Sequence, residues 1–266
     1  NLNVAVVCGE DLARQRGNHA GLAAGRLMGG LKPVPAIATV GFGQLFGVQH
    51  HDLLLVGKQI HPGALGKVQR VLLAAVQHQN QGQALAGWIS LRFVPDRLEV
   101  HVYPSANLAP VLGALMQRVR QALDLDAEPQ RIDPVLATLP LPSEPGTRLP
   151  GTLDSFEVAV RVILGQQVTV KAARTLVQRL ADRFGAPIET PWPTLNRVFP
   201  DAPTLASADP EVMGKLGIVR QRVRAIQALA AAVASGQLQL HRGAPLQATL
   251  DTLRALPGVG EWTTQV

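Results

Sequence analysis

The stretch LPGVGEWT, residues 256–263, places a proline and two glycines between two segments of helical pattern. The proline cannot continue a helix, and Gly258 and Gly260 permit backbone angles that side chains disfavour. A helix over about 245–255 is therefore expected to end here, and a second one to begin at about Glu261. Uncovered peptide N–H groups before a helix suit a grip on phosphates that does not read sequence. On spacing alone, an ordinary turn between two helices is the alternative.

The composition is that of a globular protein. The 266 residues are 47% apolar and 17% charged, and no window holds the apolar run that a membrane span needs. Cys8 is the single cysteine, which excludes an internal disulfide or a cysteine-built metal site in this sequence and favours a reducing cytoplasm. The net charge of +6 favours an anionic partner slightly.

Residues 85–123 have the pattern of a β-hairpin followed by an amphipathic helix. Apolar and polar residues alternate on both sides of the turn VPDR, residues 94–97, as expected for two strands with one buried face. Asn107 is expected to cap the helix. Its apolar stripe consists of Leu108, Val111, Leu112, Leu115, Met116, Val119 and Leu123. The pattern predicts a small β-sheet with a covering helix, ending near residue 126.

The rest of the chain divides into a proline-rich segment and a helical one. Residues 127–151 contain six prolines, which exclude a long helix or a central strand and indicate a connector. Residues 152–266 are helical in pattern throughout. Helices are expected over about 153–164, 169–184, 219–235 and 245–255, with a short helix capped by Ser207 that has Pro210 near its start. The predicted fold class is α+β, a partial sheet domain followed by an all-α domain.

Residues 1–84 carry no segment of clear periodicity and stay unassigned. VGFGQLFG, residues 40–47, resembles a dinucleotide-binding turn, but its spacing differs from G-x-G-x-x-G and no amphipathic helix follows. His50 and His51 are potential metal ligands, but adjacent side chains point apart on a helix or strand. A solvated loop is the favoured interpretation of the histidine pair, and no nucleotide site is predicted.

Three stretches together resemble the 3-methyladenine DNA glycosylase II family of the helix–hairpin–helix DNA glycosylase superfamily. They are RLPGTLDSFEVAVRVILGQQVTV (148–170), FPDAPTLASADPEVMGKLGI (199–218) and LPGVGEWT (256–263), in the order and spacing of that family. The hairpin and helix at 85–123 are similar to part of its TBP-like N-terminal sheet domain. The resemblance implies a cytoplasmic, monomeric base-excision repair enzyme, without cofactor or membrane contact, that flips alkylated bases out of double-stranded DNA.

The resemblance assigns roles to the backbone of the glycine turn. The N–H groups of Gly258, Gly260 and Thr263 match positions that hold DNA phosphates. Three carbonyl groups match those that hold a monovalent cation, the one structural metal implied. They belong to Arg254, Leu256 and Val259.

Three side chains match positions that act on the damaged nucleotide. Gln166 and Gln167 match the loop that enters DNA where the target base leaves the stack, and a family member has an apolar wedge at the position of Gln167. Trp262 matches an aromatic wall of the base pocket. Relatives that also cut the strand place a lysine at the position of Trp262, so the resemblance implies a monofunctional glycosylase.

The family's catalytic aspartate follows the hairpin by one helix and a loop. The resemblance therefore places it after Val266, and no residue of this sequence is assigned the role, so these 266 residues alone are expected to be inactive. Asp251 and Glu261 lie on the helices of the hairpin itself, where a solvent-facing charge is expected. The alternative to an enzyme is a non-catalytic helix–hairpin–helix module that only binds DNA.

Overall fold

A computed structural model describes residues 3–6, 71–80, 83–94, 99–140, 146, 148–149 and 151–265. The chain forms two compact units. A sheet unit ends at Leu153 and also takes in Ile188–Leu195, and a helical unit contains Asp154–Pro187 and Asn196–Val266. Among the described residues, no helix has both the length and the apolar character needed to span a membrane.

The described residues of the sheet unit form four strands in the order β1–β4–β3–β2. They are β1 (Asn3–Val6), β2 (Val71–Asn80), β3 (Gln83–Val94) and β4 (Glu99–Pro104). Strands β2, β3 and β4 are antiparallel neighbours, with Leu91 opposite Val102, and β1 joins β4 in parallel. The predicted hairpin is therefore confirmed.

Strand β2 lies within the segment for which the sequence predicts no element. Its first six residues, VLLAAV, are a continuous apolar run, which does not distinguish a strand from a buried helix. The ten-residue pairing of β2 with β3, from Val71 opposite Arg92 to Asn80 opposite Gln83, makes it a full member of the sheet. The sheet thus begins well before residue 85.

A 3₁₀ helix (Ala106–Val111) and α1 (Leu112–Ala122) supply the covering stripe that the sequence predicts. The core that they share with the strands contains Val76, Ile89, Leu91, Val100, Val102, Leu108, Val111, Leu115 and Val119. The prediction that Asn107 caps the helix is wrong. Ser105 precedes the first turn, and the Asn107 side-chain amide instead donates to the Ala86 carbonyl on β3.

In the described part of the proline-rich segment the only helix is the short α2 (Pro129–Leu136), in agreement with the prediction that no long helix forms there. Near residues 151–153, where the proline-rich segment ends, hydrogen bonds connect the chain to the rest of the sheet unit. The Arg118 guanidinium donates to the Gln77 carbonyl on β2 at 2.8 Å and to the Leu153 carbonyl at 2.7 Å. The Gly151 N–H donates to the Ala122 carbonyl at 2.9 Å.

The helical unit packs its helices around one core, which includes Leu164, Leu180 and Ile226. Its described helices are α3 (Ser155–Gly165), α4 (Val170–Phe184), α5 (Ala202–Ala206), α6 (Pro210–Lys215), α7 (Arg220–Ala234), α8 (Leu246–Ala255) and α9 (Glu261–Gln265). The predicted helices are confirmed to within a few residues, and α5 is an addition.

Side-chain caps determine where several of these helices begin. The Asp154 carboxylate accepts from the Glu157 N–H at 2.9 Å at the start of α3, and the Thr169 hydroxyl accepts from the Ala172 N–H at 3.2 Å at the start of α4. The prediction that Ser207 caps the following short helix is wrong. Asp209 caps α6 instead. Ser207 is the residue that follows the end of α5, and its hydroxyl donates to the Pro203 carbonyl of that helix.

Candidate nucleic-acid interface

The turn between α8 and α9 is held in the core by its central residues. Val259 is buried, and its N–H donates to the Leu256 carbonyl at 3.2 Å. Gly258 has φ +75°, a left-handed conformation that disfavours side chains. A Cβ at Gly258 would also lie 3.1 Å from the Cβ of Ala225 on α7. Glycine is therefore required at position 258 for two independent reasons.

Gly260 differs from Gly258 in both respects. Its φ lies outside the left-handed region, and a Cβ added there would have no described heavy atom within 4 Å. Gly260 therefore does not use the backbone freedom that glycine permits. The Gly260 carbonyl accepts the first helical hydrogen bond of α9, from the Thr264 N–H at 3.0 Å. Because Gly260 has no side chain, the space beside its exposed backbone is open.

An ion pair joins the two helices of the hairpin. Arg254 near the end of α8 donates through Nε and Nη2 to the two carboxylate oxygens of Glu261 on α9, at 2.8 and 2.9 Å. These bonds, with a smaller contribution from Gln265, lower the pKa of Glu261 to about 2. The Asp251 carboxylate accepts from Arg254 Nη1 at 3.3 Å. Both carboxylates are exposed and already engaged with the same guanidinium.

The loop between α3 and α4 is bonded directly to this turn. Gln166 donates through Nε2 to the Gly258 carbonyl at 3.0 Å and to the Thr263 hydroxyl at 2.9 Å. The backbone carbonyl of Gln166 accepts from the guanidinium of Arg222 on α7. Gln167 is exposed and has φ +53°, in the left-handed region. The structure thus brings the two loops together, with Gln166 turned into the hairpin and Gln167 turned outward.

Helix α9 places one side chain in the core and another at the surface. Thr264 is buried, and Trp262 is 54% exposed. Residues two apart on a helix point in nearly opposite directions, so burial of the threonine turns the indole outward. Trp262 is therefore a large aromatic surface beside the open backbone of Gly260.

The three carbonyl groups implied as cation ligands come from the last turn of α8 and the turn after it. Those of Arg254 and Leu256 flank the end of α8, and that of Val259 follows the bend. Elsewhere, the described residues contain no group of three or more His, Cys, Asp or Glu side chains suited to a metal ion. The His50–His51 pair, Cys8 and the glycine-rich stretch 40–47 lie outside the described residues.

Sequence reasoning missed the contribution of α7. Ala225 lies next to Gly258 of the hairpin, and the Arg222 guanidinium donates to the Gln166 carbonyl in the loop before α4. Arg220 and Arg224 on the same helix are exposed. The signal available in the sequence is RQRVRA, residues 220–225, in which three arginines alternate with other residues before a small one.

Comparisons with known families cover both units. Residues 63–154 match the family model of the AlkA N-terminal domain, and residues 160–260 match that of the HhH-GPD superfamily base excision DNA repair protein. The helical unit is therefore similar to the HhH-GPD superfamily over residues 160–260. The first match begins before residue 71, in agreement with the membership of β2 in the sheet.

Curated proteins that are similar to this chain include repair enzymes of two bacteria. It is 36% identical to DNA-3-methyladenine glycosylase 2 of Escherichia coli over 172 residues, 64% of this chain and 60% of the relative. It is 41% identical to the probable bifunctional transcriptional activator/DNA repair enzyme AlkA of Mycobacterium tuberculosis over 154 residues, 56% of this chain and 30% of the relative. The chain thus spans less than two thirds of these proteins.

Solved structures share the fold. A 3-methyladenine DNA glycosylase from Archaeoglobus fulgidus superposes with a TM-score of 0.55 at 20% identity, covering 73% of this chain and 66% of that one. An 8-oxoguanine glycosylase/lyase of Clostridium acetobutylicum, in complex with double-stranded DNA, superposes with a TM-score of 0.51 at 14% identity, covering 71% and 66%. At sequence identities of 20% and 14%, the similarity to these structures shows a shared fold alone.

Proposed function

We propose that this protein is a monomeric, monofunctional base-excision repair enzyme similar to DNA-3-methyladenine glycosylase 2. It hydrolyses the N-glycosidic bond of alkylated purines in double-stranded DNA. The observation that carries the proposal is the turn between α8 and α9, which exposes the backbone at Gly260 beside the outward-facing ring of Trp262. The 36% identity to the Escherichia coli enzyme supports the same reaction class.

Binding begins with the phosphate backbone. The N–H groups of Gly258, Gly260 and Thr263 donate to phosphate oxygens on one side of the flipped nucleotide. The first hydrogen bond within α9 is donated by the Thr264 N–H. The Thr263 N–H lies in the first turn of α9, where the backbone donors have no acceptor within the helix. Such contacts do not read the base sequence. The carbonyls of Arg254, Leu256 and Val259 would hold a monovalent cation, which would supply positive charge for the phosphate.

Gln167 enters the space that the flipped nucleotide leaves. Its side chain is exposed, and its left-handed backbone is the kind of local strain found at functional loops. A glutamine fills less space than an apolar wedge, but its amide can hydrogen-bond the orphaned partner base. The cost of unstacking is lowest for a damaged base, which gives the enzyme part of its selectivity.

Trp262 receives the flipped base. Alkylated purines such as 3-methyladenine are cationic, and the electron-rich face of an indole attracts a cation. The bond from the base to sugar C1′ then breaks, the bonding electrons neutralise the departing base, and water adds at C1′ with loss of a proton. Tryptophan cannot form a Schiff base, so the strand remains uncut. Asp251 and Glu261 are bonded to Arg254, and neither is proposed as the catalytic acid.

The test compares Trp262→Ala with wild type in the full-length protein. Release of cationic 3-methyladenine should fall more than release of neutral hypoxanthine. A cation–π contact with a desolvated ring contributes about 2 kcal/mol, which corresponds to roughly a thirtyfold rate effect. Because the side chain is half exposed, the fold should survive the change.

Trp262→Phe is the matched control, since it keeps an aromatic face and should retain part of the preference. Equal losses for the cationic and the neutral base would show that Trp262 only packs against the substrate. Duplex binding by the full-length wild type without release of any base would favour a module that only binds DNA.

A further inference from the structure

The two glutamines before α4 make different use of their side chains. Gln166 is half buried and bonded to the hairpin, whereas Gln167 is exposed. We propose that Gln166 is a positioning residue, which locks the loop carrying Gln167 onto the hairpin and does not itself enter the DNA. This inference rests on the proposed function for the role of Gln167, but the lock is a property of the free protein.

The orientation of the Gln166 amide follows from its partners. The Gly258 carbonyl can only accept, so it must face the nitrogen of the amide, at 3.0 Å. The second N–H of the same nitrogen then reaches the Thr263 hydroxyl at 2.9 Å. Both donors of Gln166 are thereby used within the protein. An inserted glutamine would have to give up these bonds before it could donate to a base.

The backbone of the loop is held from the other side. Gln166 follows the last turn of α3, with ψ 125°, so its carbonyl leaves the helix direction and accepts from Arg222 on α7. The same helix lies against the hairpin at Gly258, where an added Cβ would be 3.1 Å from the Cβ of Ala225. Gln166 therefore connects three parts of the helical unit: the loop, the hairpin and α7.

The lock determines where Gln167 points. Its left-handed backbone is uncommon for a residue with a side chain, and such conformations persist where the surroundings hold them. The residue just before it is fixed through both side chain and backbone. Removal of the amide donors should release the loop and let Gln167 leave its outward position.

The first experiment uses the free protein. Gln166→Ala should raise amide hydrogen exchange in the loop at 166–169 and in the turn at 256–260, with little change elsewhere. Gln166→Glu should do the same, because a carboxylate cannot donate to the Gly258 carbonyl. Thr263→Ser keeps the acceptor hydroxyl and is the matched control. Unchanged exchange in both Gln166 variants would overturn the lock without bearing on DNA repair.

The second experiment is a double-mutant cycle with Gln167. The full-length protein is titrated with a duplex that carries an abasic-site analogue, and 2-aminopurine in the opposite strand reports unstacking. Gln166→Ala and Gln167→Ala should each weaken binding by about tenfold, in line with the loss of two modest hydrogen bonds. The double variant should be no weaker than either single one.

Two outcomes of the cycle are decisive. Additive losses would mean that Gln166 does not act through Gln167, which overturns the inference. Full affinity of Gln166→Ala would overturn it as well. Failure of the wild type to bind any duplex would instead count against the proposed function, and the exchange experiment would still decide whether the lock exists.

Discussion

At the scale of single residues, the two glycines of the turn have opposite reasons for being glycine. Gly258 has φ +75°, and a Cβ added there would crowd the Cβ of Ala225, so the fold disfavours a side chain. Gly260 has an ordinary φ and open space around it, so the fold tolerates one. In the sequence both belong to the same P-G-V-G pattern. The backbone angle and the packing of α7 against the turn distinguish them.

We therefore expect Gly258→Ala and Gly260→Ala to separate stability from binding. Gly258→Ala should lower the free energy of unfolding by more than about 1 kcal/mol, because φ is positive and the new methyl group is crowded. Gly260→Ala should change it by less than about 0.5 kcal/mol, as at an uncrowded surface site. Thermal unfolding of the two variants measures this difference.

Duplex affinity at one moderate salt concentration completes the comparison. Gly260→Ala should bind undamaged duplexes of any sequence more weakly, because the methyl group occupies the approach of a phosphate. Wild-type affinity in Gly260→Ala would contradict the proposed grip. An unchanged melting temperature in Gly258→Ala would contradict the geometry of the turn.

At the scale of elements, the ion pair between Arg254 and Glu261 joins α8 to α9, which has only five described residues. Helices this short are not stable on their own, so α9 depends on such contacts and on the burial of Thr264. The pKa of Glu261 is lowered from 4.5 to about 2 by these hydrogen bonds. The pair should therefore stabilise the fold fully above pH 4.5 and lose that effect as the pH falls towards 2.

Glu261→Gln tests the pair. At pH 7 the variant should melt at a lower temperature than wild type, and the difference should shrink as the pH falls from about 4.5 to 2. High salt should also reduce it, because the groups are exposed. Asp251→Asn is a suitable control, since its contact with Arg254 is longer and single. A difference that stays constant over this pH range would contradict the assignment.

The elements also show where sequence reasoning succeeds. Apolar spacing predicts α3, α4 and α7, because each buries one face in a common core, and α8, which contributes the partly buried Leu253 to that core. It fails at caps, where tertiary contacts choose between neighbouring candidates: Asn107 bonds to β3, and Ser207 ends α5. It also fails for β2, whose apolar run has no alternation.

At the scale of the whole molecule, a sheet unit and a helical unit match two family models found in repair proteins. The residues of the glycine turn and of the Gln166–Gln167 loop could be predicted from the motifs that carry the resemblance. The bonds between those loops could not, because Gln166 and Thr263 lie 97 positions apart. Nor could the contacts of α7 with the two loops, although the three arginines of RQRVRA, residues 220–225, are apparent in the sequence.

The most direct measurement is the fate of a methylated duplex incubated with the full-length protein. Free 3-methyladenine is quantified, and strand integrity is followed with and without borohydride. We expect release of the base, an intact strand that carries an abasic site, and no covalent protein–DNA adduct. Efficient borohydride trapping, or tight binding without any release of base, would contradict a monofunctional glycosylase that works through the turn at Gly258–Trp262.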